Sequence, residues 1–181
     1  MEITIKNVVL KDGRTAILRS PCAADAREMI GFLRDTAGET TFLSKYPEEI
    51  TYTEEGEVGV LEKYRTSPRD VMICVEMDGR IMGNCNLSGG GTLRSSHRAE
   101  LGIALRHEIW GQGTGSALFD ALLDCARQAG YEQLYLWVVS ENRRGLGLYE
   151  KYGFTVCGRR PRGQRYRDGT YADELLMVRE L

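Results

Sequence analysis

The apolar positions along the chain predict strands and helices in alternation. Two Asp-Gly pairs, at 12–13 and 78–79, each separate two apolar runs, which is the pattern of a tight β-hairpin. Between the hairpins, apolar residues recur at helical spacing from Ala26 to Ala37, and the Ser20-Pro21 pair before them is typical of a helix start. The first half of the chain should therefore combine antiparallel strands with helices.

The second half predicts strands connected through helices, as in a βαβ unit. The expected elements are strand 99–105, helix 116–129, strand 134–139, a short helix from Asn142, and strands 154–158 and 171–179. Strand 134–139 is a continuous apolar run, which indicates burial on both faces and favours a parallel neighbour. The glycine-containing segment between the last two strands reads as a long basic connection.

Composition narrows the class of protein. A chain of 181 residues suits one domain, and 42% apolar with 28% charged residues is ordinary for a globular protein. A net charge of -2 argues against a nucleic-acid partner, and no apolar run approaches the roughly 20 residues of a membrane helix. The 5 cysteines lack metal-ligand spacing, which predicts reduced thiols in a cytoplasmic protein without a metal site.

The glycine-rich turn from Trp110 to Gly115 has the features of a phosphate site. Gly111, Gly113 and Gly115 alternate between the predicted strand and helix, and glycine lets backbone amides approach a ligand. The dipole and unpaired amides at the helix start favour an anion. No Lys-Ser or Lys-Thr pair follows, as a P-loop would require, and the third glycine comes one position too early for the dinucleotide pattern. A glycine-rich connection without a ligand is the alternative.

Two motifs, at this separation and in this order, resemble those of the GNAT superfamily of N-acetyltransferases. Segment 110–115 is similar to the acetyl-CoA motif, although Trp110 stands where that family has Gln or Arg. Asn142, Tyr149 and Gly153-Phe154 are similar to the motif that closes the same site. The resemblance covers nearly the whole chain. It implies one α/β domain over 1–181 with three layers, a mixed, mostly antiparallel sheet of about seven strands with a central parallel pair, and about four flanking helices.

The resemblance also implies acetyl-CoA as the co-substrate, without a metal. The backbone of strand 103–105 would pair with the pantetheine arm, the amides of 112–116 would hold the pyrophosphate, and Asn142 would bind near the pantetheine. Tyr149 would stand beside the sulfur and protonate the departing thiolate. The cofactor-binding set is Ile103, Ala104, Leu105, Gln112, Gly113, Thr114, Gly115, Ser116, Asn142 and Tyr149.

Glu100 is the residue that we assign as the general base. It lies on the strand face opposite Leu101 and Ile103, where a carboxylate can face an acceptor cleft. The alternatives are a surface or helix-paired glutamate, or a chain of water molecules that acts instead. His97 and His107 are further candidate bases, but both fall in loop-like sequence, which favours solvent-exposed histidines. Trp137 occupies the position at which some protein-acetylating members of the family carry a glutamate base.

These features predict transfer of the acetyl group of acetyl-CoA to a primary amine of a small molecule or peptide, by direct attack in a ternary complex. A non-catalytic sensor of acyl-CoA is the alternative from another class. The sequence predicts no nucleic-acid or membrane partner and leaves a homodimer open.

Two charged clusters keep more than one interpretation. A second helix is expected between Thr51 and Pro68. The acidic residues in it and just before it either attract a cationic substrate electrostatically or form a solvated face. They are Glu48, Glu49, Glu54, Glu55 and Glu57. The second cluster is the basic connection between the last two predicted strands. It has three interpretations: recognition of an acidic acceptor, contact with the adenosine phosphate, or a solvated surface. Its arginines are Arg159, Arg160, Arg162, Arg165 and Arg167.

Overall fold

A computed structural model describes residues 1–181 as a mixed α/β fold. The elements are β1 (Lys6–Val9), β2 (Thr15–Arg19), α1 (Ala26–Glu39), α2 (Glu54–Thr66), β3 (Val71–Met77), β4 (Arg80–Gly89), β5 (Arg98–Leu105), α3 (Thr114–Gln128), β6 (Gln133–Val139), α4 (Arg143–Lys151), β7 (Thr155–Arg165) and β8 (Tyr171–Glu180). The strands form one 8-stranded sheet in the order β1-β2-β3-β4-β5-β6-β8-β7. The predicted fold class is confirmed, with eight strands rather than about seven. No helix is long and apolar enough to cross a membrane.

The chain divides into two compact units, one of 1–88 with 102–130 and one of 89–101 with 131–181. That the whole chain is one domain stays a prediction. In the first unit, β1 to β4 are antiparallel to their neighbours in chain order. Both predicted hairpins are present, and Gly13 (φ 88°), Asp78 (φ 50°) and Gly79 (φ 75°) adopt the left-handed backbone that such tight turns need.

Helix α1 begins at Ala26, later than the Ser20-Pro21 pair predicts. The residues between Ser20 and Ala26 form hydrogen bonds that are not those of an α-helix. Ser20 Oγ accepts a hydrogen bond from the Ile3 amide at 3.0 Å. Asp25 accepts one from the Cys22 amide at 2.7 Å and closes a 3-10 turn. The Arg19 guanidinium donates two hydrogen bonds to Asp25, which lowers the pKa of that carboxyl. This charged turn precedes the helix.

Helices α1 and α2 cover one face of the first unit's strands with apolar side chains. Thr53 caps α2, its Oγ1 accepting a hydrogen bond from the Gly56 amide at 3.1 Å. Burial of apolar surface between helices and strands is the main source of stability in such a layer. The buried cluster consists of Ala26, Met29, Phe32, Leu61, Met72, Cys74 and Ile81.

The second unit contains the parallel pair that the sequence predicts. Strand β5 pairs in parallel with β6 from Arg98 opposite Gln133 to Glu100 opposite Tyr135. Strand β8 is antiparallel to both β6 and β7. The expectation that β6 is buried on both faces is wrong in part. Leu134, Leu136 and Val138 are buried, whereas the side chains between them are half-buried.

Strand β7 extends through most of the segment predicted to be a basic connection. Arg160 donates a hydrogen bond to Glu174 of β8 at 2.9 Å, and its guanidinium lies 4.0 Å from the centre of the Trp137 ring. The pairing with β8 shifts in register between Arg160 and Gln164. This stretch contains Pro161 and Arg162, which has a φ of 54°. Ion pairs with the facing strand therefore hold basic residues in a strand that their sequence alone does not favour.

Candidate active site

The glycine-rich turn leads directly into α3, which begins at Thr114 rather than at the predicted Ser116. Gly111 (φ 77°) and Gly113 (φ 91°) are both left-handed, and Gly113 is the N-cap. The first helical hydrogen bond runs from the Ala117 amide to the Gly113 carbonyl at 3.1 Å. The amides of Gly113, Thr114 and Gly115 therefore have no acceptor within the chain. They form a row of donors at the positive end of the helix dipole, which suits an anion.

The side chain of Thr114 adds a polar atom that the sequence does not single out. Thr114 is 1% exposed, and its Oγ1 is the one fully buried side-chain oxygen or nitrogen without a hydrogen-bond partner. A buried hydroxyl left unsatisfied costs about 1–3 kcal/mol. This cost falls at the first residue of α3, beside the row of unbonded amides.

Thr114→Val is expected to raise the free energy of unfolding by about 1 kcal/mol, because valine keeps the shape and removes the unsatisfied hydroxyl. Denaturant unfolding of the free protein measures the change. The matched control is Thr36→Val, since Thr36 is equally buried and its Oγ1 donates to the Phe32 carbonyl at 2.8 Å. That variant should lose stability. A similar loss at Thr114 would contradict the assignment of an unsatisfied hydroxyl.

Backbone and indole hydrogen bonds fix the shape of the turn. Trp110 Nε1 donates to the Leu105 carbonyl at 2.8 Å, which closes the loop between β5 and α3. The Lys11 amide, next to the first hairpin turn, donates to the Gln112 carbonyl at 3.1 Å. Trp110 stands where the family motif has Gln or Arg. Here its indole holds the turn together.

Arg106 fastens the end of β5 to its surroundings and was missed by the sequence reasoning. It is 6% exposed, its Nε donates to the Ile81 carbonyl at 2.9 Å, and its Nη1 donates to Asp35 of α1 at 2.7 Å. Its amide donates to the Met82 carbonyl at 2.8 Å. A buried guanidinium is stable only when it is paired in this way. Arg106 thus links β4, α1 and the start of the glycine turn.

The predicted pantetheine strand is partly accessible. Ile103, Ala104 and Leu105 are half-buried, so their backbone is not sealed inside the core. The Leu105 carbonyl is already engaged by Trp110. A Cβ at Gly83 would lie 2.4 Å from Leu105 Cδ2, so β4 carries glycine where this side chain packs. Pairing with a ligand remains a prediction for this strand.

In the second unit, Asn142 caps α4 as predicted. Its Oδ1 accepts a hydrogen bond from the Gly145 amide at 2.9 Å. A Cβ at position 145 would lie 2.7 Å from Asn142 Nδ2, which explains why the motif pairs an asparagine with a glycine three residues later. The capping contact fixes the orientation of the amide side chain.

Tyr149 lies on α4, is 7% exposed, and has its ring centre 6.2 Å from that of Phe154. Burial raises the pKa of Tyr149 to about 12. A phenol in such an environment keeps its proton at neutral pH and can give it, or a hydrogen bond, to a departing thiolate. Packing against Phe154, the alternative to a catalytic role, is also present.

Glu100 occupies the exposed face of β5, between the buried residues Ala99 and Leu101. The Tyr135 hydroxyl donates to Glu100 Oε2 across 3.4 Å, a long and therefore weak hydrogen bond. The predicted alternation of faces holds up to Leu101, whereas Gly102 to Leu105 are all half-buried. The role of Glu100 as a base stays a prediction. No group of three or more His, Cys, Asp or Glu residues that could hold a metal ion is brought together.

Comparison with solved structures shows which proteins share this fold. An acetyltransferase of the GNAT family from Streptococcus pneumoniae has a TM-score of 0.88 at 28% identity, covering 92% of this chain and 99% of that one. A putative acetyltransferase from Salmonella typhimurium, solved with its cofactor acetyl-CoA, has a TM-score of 0.79 at 19% identity, covering 91% and 92%. The fold is that of the acetyltransferases.

Sequence comparison gives the family. An L-amino acid N-acetyltransferase of Escherichia coli K12 is 28% identical over 118 residues, which are 64% of this chain and 70% of the relative. The model of the acetyltransferase (GNAT) family matches residues 30–154. The chain belongs to this family, and its enzyme class is that of the acetyl-CoA-dependent acyltransferases.

Proposed function

We propose that this protein transfers the acetyl group of acetyl-CoA to a primary amine of a small molecule or peptide, by direct attack in a ternary complex. The observation that carries the proposal is the row of unbonded amides at Gly113, Thr114 and Gly115. A diphosphate matches such a row in charge and in hydrogen-bonding capacity. The acetyl-CoA in the Salmonella structure supports the same cofactor here.

Each predicted cofactor residue has a distinct task in this proposal. The amides from Gln112 to Ser116 hold the diphosphate, and the Gln112 amide also donates to the Ile109 carbonyl at 3.4 Å. The backbone of Ile103, Ala104 and Leu105 pairs with the pantetheine arm as an added strand would. The side chain of Asn142 binds the cofactor near the pantetheine.

The chemistry needs a neutral amine, because an alkylammonium with a pKa of about 10 has no lone pair with which to attack. Glu100 takes the proton from the amine, directly or through water, and the nitrogen forms a bond to the thioester carbonyl carbon. A backbone amide near Leu105 stabilises the oxyanion. The C–S bond then breaks, and Tyr149 donates a proton to the thiolate of coenzyme A. The nitrogen releases its remaining extra proton, through water, to the Tyr149 phenolate, which leaves a neutral amide and one proton on Glu100.

Thiol release tests this function. The protein is mixed with acetyl-CoA and a panel of amines that begins with L-amino acids, since the Escherichia coli relative is named for them. We expect amine-dependent release of the free thiol of coenzyme A. Gly113→Glu serves as the control that lacks the phosphate site. Micromolar binding of acetyl-CoA without turnover of any amine would contradict the proposal and favour an acyl-CoA sensor.

A further inference from the structure

Helix α2 carries a carboxylate that the chain itself does not neutralise. Glu57 is 5% exposed and lies one turn before Leu61 on the inner face of the helix. Its side chain has no hydrogen bond or ion pair within the chain, and its oxygens are not among the fully buried atoms. Burial raises the pKa of Glu57, and no neighbouring charge opposes that effect. A carboxylate placed in this way reduces stability and is typical of a site that receives a ligand.

The other acidic residues of the cluster behave as a solvated face. Glu54 pairs with Arg27 at 3.2 Å, and Glu49 accepts a hydrogen bond from the Tyr46 amide at 2.7 Å. Glu55 is exposed on the same turn of α2. The solvated-face interpretation fits these members. Glu57 is the one residue of the cluster that is buried.

A second buried residue with an oxygen that lacks a partner packs against the same cluster. Asn84 of β4 is 8% exposed, and its Nδ2 reaches only the sulfur of Met29, at 3.9 Å. Its Oδ1 accepts no hydrogen bond within the chain. Met29 belongs to the same buried cluster as Leu61, the residue one turn after Glu57. The carboxylate and the amide oxygen are thus both presented by elements that pack around this cluster.

The neighbouring polar residues of the layer are satisfied, which sets Glu57 and Asn84 apart. Asn86, two residues further along β4, donates from Nδ2 to the Tyr64 hydroxyl at 3.1 Å. Tyr64 Oη lies 2.7 Å from Ser88 Oγ. The two carboxylate oxygens of Glu57 and the amide oxygen of Asn84 only accept hydrogen bonds and have no donor in the chain, so they call for a donor from outside. A group that is both a hydrogen-bond donor and a cation matches them in charge and in chemistry.

We propose that Glu57 and Asn84 bind a positively charged group of the acceptor other than the amine that is acetylated, an inference that rests on the proposed function. A lone carboxylate stabilises the charged form of an ammonium, whereas the reacting amine must be neutral. The carboxylate at position 57 therefore suits the amine that does not react. The acceptor class is a compound with two cationic groups, such as an alkyl diamine or a basic amino acid.

Steady-state kinetics with matched acceptors tests the proposal. The pairs are 1,4-diaminobutane with butylamine, and lysine with norleucine. Wild-type protein should favour the dicationic member by about 10- to 100-fold in kcat/KM, as expected for a charge-assisted hydrogen bond. Glu57→Gln should remove this preference by raising KM, leaving the monoamine within about 2-fold. The control Glu55→Gln, on the exposed side of the helix, should keep it. An equal effect of Glu57→Gln on both members of a pair would overturn the proposal.

The melting temperature of the free protein distinguishes a ligand-binding role of Glu57 from a structural one, because the two roles predict changes of opposite sign. Glu57→Gln should raise the Tm of the free protein at neutral pH, because it removes an unpaired buried charge. Glu55→Gln should leave the Tm unchanged. A fall in Tm at Glu57→Gln would show that the carboxylate holds the fold together and would overturn the proposal.

Calorimetry with 1,4-diaminobutane separates this proposal from the function on which it rests. If the protein binds 1,4-diaminobutane, loses this binding in Glu57→Gln and acetylates no amine, the proposed function is contradicted and the cation site is supported. Turnover of amines without preference for dicationic acceptors would keep the function and remove the cation site.

Discussion

Replacement of Gly113 by glutamate is expected to lower the affinity for acetyl-CoA by at least about 100-fold, because like charges brought together cost several kcal/mol. The new carboxylate would extend from the N-cap of α3, beside amides that have no other acceptor. Isothermal titration calorimetry with acetyl-CoA measures the loss. Gly115→Glu should act in the same way from the second residue of the helix.

A matched substitution separates the effect of charge from that of backbone strain. Gly169, in the turn between β7 and β8, has a φ of 86°, and nothing lies within 4 Å of an added Cβ. Gly113 has a φ of 91° and is equally open. Each glutamate should therefore cost about 1–2 kcal/mol of stability from the left-handed backbone. Only Gly113→Glu should impair binding. Normal affinity in that variant would contradict the phosphate site.

Tyr149→Phe is expected to reduce kcat by about 10- to 1000-fold with little change in the affinity for acetyl-CoA. The substitution keeps the ring that packs against Phe154 and removes the proton proposed for the thiolate. Steady-state kinetics and calorimetry on the same preparation measure the two quantities. Tyr171→Phe is the control, since Tyr171 is exposed at the start of β8.

The pH profile of the wild-type enzyme checks the same assignment. An ordinary tyrosine ionises near pH 10. Burial raises the pKa of Tyr149 to about 12, so the folded protein keeps this phenol protonated where an exposed one loses its proton. Accordingly, kcat should not fall between pH 7 and about 10 through loss of this proton. An unchanged kcat in Tyr149→Phe would remove the residue from the mechanism.

Local signals in the sequence predicted most of the fold, and the errors lie where distant residues decide the structure. The hairpins followed from Asp-Gly pairs, because these pairs supply the left-handed residues of each turn, Gly13 in the first and Asp78 with Gly79 in the second. The start of α1 did not, since the Ser20 hydroxyl accepts a hydrogen bond from the amide of Ile3, which lies 17 residues earlier. The strand predicted over 154–158 was too short, because the basic residues that continue β7 pair with carboxylates of β8, and those partners are invisible before the strands are aligned.

The candidate site was predicted where backbone geometry defines it. Alternating glycines located the amide row, and the spacing from Asn142 to Gly145 reflects a cap that the structure contains. The environment of side chains could not be predicted in the same way. Helical spacing places Glu57 one turn before Leu61, but the lack of a partner for its carboxylate becomes visible only when α2 is packed. The buried bonds of Arg106 depend equally on tertiary contacts.

Strand β7 is the last strand of the sheet, and its outer edge resists recruitment of a further strand from another molecule. Pro161 has no amide hydrogen to offer, and the left-handed Arg162 lies where the pairing with β8 shifts in register. Exposed edges without these features are common routes to aggregation. Self-association through continuation of the sheet is therefore disfavoured along this side, and a homodimer would have to form through a different surface.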